Sequence, residues 1–129
     1  MSKESEQCYE ALKQLEVRRV YREFSLKSLP NRRFDFKFSY NNRKYILEYD
    51  GKQHFEFPNV FHRTRKEFDE YRRTDIEKSK AAISNGYILI RITHSDLNDV
   101  KHILGRIFNS NYTYYFSDPS KYDYIISDL

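Results

Sequence analysis

The sequence predicts a single α/β domain over residues 1–129, in which helices flank a central mixed β-sheet. An antiparallel hairpin is indicated at about residues 33–50, because apolar and polar side chains alternate on both sides of a turn signal. A nearly continuous apolar run over residues 87–92 is typical of a strand buried on both faces, expected parallel to a hairpin strand. The helical pattern over residues 64–85 supplies the crossover that parallel pairing requires. Two further helices, at about 5–15 and 97–108, and an edge strand, at 17–24, complete the fold.

The predicted hairpin has a definite register. Asn41-Asn42 tolerates the positive φ angles of a tight turn. Folding the chain about this turn places Asp35 opposite Glu48, so the two carboxylates share one face of the sheet. The same register pairs Phe36 with Leu47 and Phe38 with Tyr45, and it places Phe34, Phe36 and Phe38 together on the other face.

Like charges directly opposite each other destabilise a sheet. For Asp35 and Glu48, a divalent cation bound by carboxylate oxygens would offset the repulsion. Asp50 lies two residues further along, on the same face and at the end of its strand. The alternative is an ordinary polar face, on which the two acids pair with Lys37 or Lys52.

Further candidate catalytic residues follow directly after this strand. Gly51 bends the chain, and Lys52, Gln53 and His54 come directly after it. Carboxylates, an ammonium group and an imidazole at one strand end are typical of metal-assisted hydrolysis. An imidazole with a pKa of about 6.5 can accept or relay a proton, which makes His54 the candidate base.

Capping signals define the helices. Ser5 is expected to cap the first helix. Thr64 and Glu67 have the spacing of a capping box, and Gly86 is a C-terminal stop. Asp75 and Lys78 lie one turn apart on the long helix, as a surface ion pair or as site residues.

Composition limits the classes of function. The chain has 23 Lys and Arg against 19 Asp and Glu, and this mildly basic balance suits a nucleic-acid partner. Its single cysteine, Cys8, excludes an internal disulfide and a multi-cysteine zinc cluster. No apolar run has the length of a membrane span. An intracellular location, in the cytoplasm or nucleus, is therefore expected.

The residues described above resemble those of the PD-(D/E)XK, or restriction-endonuclease-like, nucleases. The nearest branch contains the very-short-patch repair endonucleases and related homing endonucleases. The resemblance covers roughly residues 5–97, and Glu48 to His54 is its most specific part. It is carried by Arg33-Phe34-Asp35-Phe36, by Ile46 to Phe55, by Asp75 and Lys78, and by Gly86 to Ile92.

This resemblance implies a three-layer fold and a Mg²⁺-dependent endonuclease acting on DNA, in which Mn²⁺ is expected to substitute. It assigns the metal to Asp35, Glu48 and Asp50. It also implies that an acid of the first helix approaches the metal; Glu6 matches this acid by its spacing, and Glu10 is the alternative. The position that usually carries the signature lysine is Asp50 here, so Lys52 or His54 would have to supply that role. Gln53 and Asp75 are expected to support the site.

Basic residues near the predicted site are candidate nucleic-acid contacts. They are Arg32, Arg33, Arg43, Arg63, Arg72 and Lys78. The aromatic segment 55–63 is expected either to contact DNA or to cover the core. Two alternatives stay open for function: an inactive nuclease-like subunit that binds nucleic acid, and a nuclease acting on RNA or branched DNA. A homodimer formed through the C-terminal segment also stays open.

Overall fold

The structure, a computed structural model, describes residues 2–59 and 61–129, and over these residues the chain forms a five-stranded mixed sheet flanked by helices. Its strands are β1 (Tyr21–Leu26), β2 (Leu29–Tyr40), β3 (Arg43–Asp50), β4 (Ile88–Thr93) and β5 (Tyr114–Phe116). Its helices are α1 (Lys3–Gln14), α2 (Arg65–Ser84), α3 (Val100–Phe108) and α4 (Asp123–Ile126). Short 3₁₀ turns cover Lys52–His54, His94–Asp99 and Pro119–Lys121. Each helix within the described ranges is too short or too polar to cross a lipid bilayer.

The strands lie across the sheet in the order β1-β2-β3-β4-β5. β1, β2 and β3 pair antiparallel, whereas β3, β4 and β5 pair parallel. Helix α2 connects β3 to β4, which confirms the predicted crossover. β3 is therefore the central strand, and its carboxyl end lies between β2 and β4.

The hairpin has the predicted register. Phe36 pairs with Leu47, and both turn residues, Asn41 and Asn42, have positive φ (51° and 64°). The expectation that Phe34 shares a face with Phe36 is wrong: Phe36 packs in the core on the α1 and α3 side of the sheet. Phe34 packs instead in the core on the α2 side of the sheet.

Two helices begin as their caps dictate. The Thr64 hydroxyl accepts a hydrogen bond from the Glu67 backbone N–H at 3.1 Å, and the Glu67 carboxylate accepts one from the Thr64 backbone N–H. The predicted capping box is therefore confirmed. Helix α1 begins at Lys3 because Ser2, rather than Ser5, is its cap: the Ser2 hydroxyl accepts the Ser5 backbone N–H. Ser5 itself lies inside the helix and is buried.

Three other boundaries differ from expectation. β1 begins at residue 21, not 17, because Glu16 and Arg19 adopt positive φ and interrupt an extended chain. β4 begins and ends one residue later than the predicted 87–92. α3 begins at Val100, not 97, because residues 94–99 form a 3₁₀ turn first.

Helices cover both faces of the sheet. Tyr45 and Leu47 of β3 pack with residues of α1 and α3 in one core. Ile46, between them in sequence, packs with residues of α2 and α4 in the other. This alternation turns the side chains of Glu48 and Asp50 toward the α2 layer, where the candidate site lies.

Candidate active site

A cleft of about 790 Å³ opens at the carboxyl end of β3. Strands β2 and β3, the 3₁₀ turn after β3, helix α2 and the first turn of α1 contribute to its wall. Asp35 and Glu48 line it together with Lys78, His54 and Tyr71. The structure therefore brings the two predicted acids from neighbouring strands into one cleft.

The two carboxylates bridge β2 and β3 just beyond their paired register. The Asp35 backbone N–H donates to Glu48 Oε1 at 2.7 Å, and the Tyr49 backbone N–H donates to Asp35 Oδ2 at 2.8 Å. Each acid thus has one oxygen fixed by a backbone donor. Within residues 2–59 and 61–129, the second oxygen of Asp35, Oδ1, accepts no hydrogen bond.

Asp35 is an unusually weak acid. Burial raises the pKa of Asp35 from 3.8 to about 7, and the nearby charge of Glu48 adds to the rise. Both causes disfavour the carboxylate, and the backbone N–H of Tyr49 offsets them only in part. A cation bound beside Asp35 would therefore stabilise its charged form.

A lysine from α2 occupies the position next to Glu48. Lys78 Nζ lies 3.0 Å from Glu48 Oε2, and both side chains are largely buried. The same ammonium lies 5.1 Å from the centre of the Phe34 ring. Lys52, which sequence reasoning considered for this role, lines the cleft from an exposed position in the 3₁₀ turn. The cation closest to the acids is therefore Lys78.

His54 is buried at the wall of the cleft, with both ring nitrogens engaged. Nδ1 lies 2.8 Å from Asp75 Oδ2, and Nε2 lies 3.0 Å from the Tyr71 hydroxyl. Burial opposes the charged imidazole, but the carboxylates of Asp50 and Asp75 outweigh it and raise the pKa of His54. Tyr71 connects this imidazole to the cleft.

Asp50 belongs to a buried network, and it does not line the cleft as the sequence suggested. Both of its oxygens accept hydrogen bonds from Arg91 Nη1, at 2.8 and 2.9 Å, and Oδ2 also accepts one from the Tyr122 hydroxyl. Arg91 is fully buried and lies 3.8 Å from Asp75 Oδ1. The Tyr124 hydroxyl donates to Asp75 Oδ2. Asp50 turns inward because Arg91, from the adjacent strand, needs a buried counter-charge.

Two groups of residues could bind a cation. One ligand atom each from Asp50, His54 and Asp75 lie within 4.8 Å of one another. Arg91 already donates to Asp50 there, so an added cation would meet a guanidinium at short range. Asp35 and Glu48 form the second group: Lys78 already lies 3.0 Å from Glu48, but burial and the charge of Glu48 disfavour the Asp35 carboxylate, and a cation beside it would offset both causes.

Glu6 does not approach the cleft. It lies on the exposed side of α1 and forms an ion pair with Arg22. Glu4, two residues earlier in α1, lines the cleft instead. Glu10, the competing acid, pairs with Lys13 at the surface. 

The predicted nucleic-acid contacts divide into two groups. Four are engaged within the protein: Arg32 with Glu77, Arg43 with Ser110 and Asn111, Arg72 with the His54 carbonyl and the Tyr124 ring, and Lys78 with Glu48. Arg33 and Arg63 are exposed, and Gln53 lines the cleft. In the aromatic segment 55–63, Phe55 packs against Tyr122 and Phe61 is exposed; Val60 lies outside the described residues.

Sequence reasoning missed several members of the buried network. Tyr71, Tyr122 and Tyr124 gave no local signal, because tyrosines are abundant in this chain and fill cores elsewhere in it. Arg91 did give one: it is a charged residue inside the apolar run that forms β4. A buried arginine requires acidic partners, and this requirement points to Asp50 and Asp75.

Comparison of the chain with protein-family models, with curated proteins and with solved structures found no match. The resemblance to restriction-endonuclease-like nucleases therefore stays a prediction from the sequence.

Proposed function

We propose that this chain is a metal-dependent phosphodiesterase that hydrolyses nucleic acid, with DNA as the first substrate to test. We also propose that its mixed sheet and flanking helices form a restriction-endonuclease-like fold. The main support is one observation: Asp35 and Glu48, from neighbouring strands, line one cleft in which the Asp35 carboxylate lacks sufficient counter-charge. Such a pair is a ligand set for Mg²⁺ or Mn²⁺.

The proposed chemistry divides among four side chains. A divalent ion bound by Asp35 and Glu48 would supply charge neutralisation and an acidified water. Lys78 places its ammonium where negative charge develops on the phosphate. Asp75 orients the His54 ring through Nδ1. The imidazole would then accept a proton from the cleft by way of the Tyr71 hydroxyl, which contacts Nε2.

A nucleic-acid-binding subunit without activity is the main alternative. It is favoured by one feature, the inward position of Asp50 where the related nucleases carry their lysine. The position of Lys78 beside Glu48 weakens this alternative, because it supplies a cation from another element. Cleavage of RNA or branched DNA would use the same acids, so those substrates differ in recognition and not in chemistry.

The test is a cleavage assay with supercoiled, linear, single-stranded and branched DNA and with RNA. Each is incubated with the chain in Mg²⁺, Mn²⁺ or EDTA. We expect cleavage with either metal, none in EDTA, and loss of at least about 100-fold in Asp35→Asn. Asp99→Asn is the matched control, because Asp99 is exposed and is not among the residues that line the cleft.

Metal binding separates the two candidate cation sites. Mg²⁺ should raise the melting temperature of the wild type and of Asp99→Asn, but not of Asp35→Asn. If Asp75→Asn abolished the shift while Asp35→Asn kept it, the ion would belong to the inner group. Cleavage that survived in Asp35→Asn at wild-type rate would refute the proposed function.

A further inference from the structure

A second groove, of about 410 Å³, lies at the other end of the central strand from the cleft. Lys44 is near the start of β3 and Glu48 near its end, so the two sites are separated by about 13 Å along the strand. The groove combines basic and aromatic side chains, and no acidic residue lines it. The residues that matter are Arg18, Arg19, Lys37, Lys44, Tyr21 and Tyr87.

The four cations of this groove lack carboxylate partners. Ion pairs engage Arg22, Arg32, Arg65, Lys78 and Arg91 elsewhere, but none involves the groove cations within residues 2–59 and 61–129. Four like charges around one concave surface repel one another, and they attract a polyanion. The groove therefore has the electrostatic character of an anion site.

Aromatic rings lie between these cations. Lys37 Nζ is 5.0 Å from the centre of the Tyr21 ring, and Lys44 Nζ is 4.7 Å from that of Tyr87. Tyr21 is 56% exposed, so part of its ring is open to a ligand. Cations for phosphates and an exposed ring face for a base are the two components of single-strand recognition.

We propose that this groove binds a single strand of nucleic acid, with the basic side chains on its phosphates and Tyr21 stacked on a base. A single strand is favoured over a duplex because stacking on Tyr21 needs a base whose face is free. The choice of nucleic acid over another polyanion rests on the proposed function. The groove would hold the strand away from the cleft, so cleavage and groove binding are separable.

Binding is measured by fluorescence polarisation of a short labelled oligothymidylate, in EDTA, with the full chain carrying Asp35→Asn. The test variant is Lys37→Gln/Lys44→Gln, and its control is Lys80→Gln/Lys101→Gln, which has the same net charge and changes exposed lysines outside the groove. We expect the test pair to weaken binding about tenfold and to reduce the salt slope by about 1.4, the value for two lost phosphate contacts on a single strand. The control pair should change affinity less than about twofold.

Stacking is tested separately. Tyr21→Ser should weaken binding about tenfold, whereas Tyr112→Ser, which changes a similarly exposed ring elsewhere, should leave it unchanged. Equal losses for the two lysine pairs would overturn the groove as the site. A second outcome would overturn nucleic acid as the ligand of the groove. In that outcome Tyr21→Ser leaves the affinity unchanged, and an oligoglutamate of equal charge binds as tightly as the oligothymidylate.

The outcomes for the two proposals are distinct. A wild-type chain that cleaves nothing but binds the oligothymidylate through Lys37 and Lys44 would contradict the proposed phosphodiesterase and support this groove. A chain that cleaves normally, and whose Lys37→Gln/Lys44→Gln variant binds normally, would refute the groove alone.

Discussion

At the scale of single residues, the candidate site is defined by which charges are compensated. Glu48 has a lysine at 3.0 Å, whereas Asp35 has one backbone donor and a neighbouring negative charge. The opposition of these two acids could be predicted from the sequence, because strand alternation and the Asn-Asn turn fix the register. The identity of their cation could not be predicted, since Lys78 comes from a helix whose rotation about its axis depends on packing.

This placement predicts which lysine contributes to catalysis. Lys78→Gln removes the ammonium next to Glu48 and should lower kcat by about 100-fold, as loss of one charge-stabilising donor does. Lys52→Gln, an exposed change at the rim of the same cleft, should lower it less than about threefold. The measurement is single-turnover cleavage with saturating Mg²⁺. A larger loss of kcat in the Lys52 variant would show that Lys52, in the 3₁₀ turn, supplies the catalytic cation.

At the scale of elements, the buried arginine of β4 joins the strand, helix and C-terminal layers. Arg91 donates to Asp50 of β3 and to the Ser79 hydroxyl of α2, while Tyr122, from the segment between β5 and α4, completes the shell of Asp50. Sequence patterns located each of the larger elements, because caps and periodicity are local. They did not reveal this junction, because its polar contacts join residues that are far apart in the chain.

The junction predicts a specific cost for a small change. Tyr122→Phe deletes one hydroxyl and leaves an oxygen of the buried Asp50 with one donor fewer. We expect the free energy of unfolding to fall by about 1–3 kcal/mol. Tyr112→Phe, at an exposed ring, should change it by less than about 0.5 kcal/mol. Urea denaturation measures both, and equal values for the two variants would show that the Tyr122 hydroxyl does not stabilise the junction.

At the scale of the whole molecule, two titrating groups give stability the same dependence on pH. The folded chain keeps the Asp35 proton from pH 3.8 to about 7, where the unfolded chain has lost it, so stability falls as pH rises through that window. His54 has a raised pKa, so its contribution is complete below its ordinary value of 6.5 and is lost as pH rises through the folded value. The metal-free chain should therefore be less stable at alkaline than at mildly acidic pH.

We predict that the metal-free chain loses about 2 kcal/mol of unfolding free energy between about pH 5 and pH 8. Asp35→Asn should be more stable than the wild type at the higher pH and similar at the lower, because the wild-type carboxyl is already protonated there. Mg²⁺ at about 100 times its dissociation constant should restore about 2.7 kcal/mol to the wild type and to Asp99→Asn, but not to Asp35→Asn. Urea midpoints across the range, with Asp99→Asn as control, measure these differences. A flat wild-type profile would contradict the raised pKa of Asp35.

The junction around Arg91 also links the cleft to completion of folding. Asp50 and Tyr122 are 72 positions apart in the chain, so their contact requires a long loop to close. A chain in which only the β2–β3 hairpin has formed would leave Asp50 without its Arg91 and Tyr122 partners, and the wall of its cleft would be incomplete. Under the proposed function, such a chain would not cleave nucleic acid until the junction is complete.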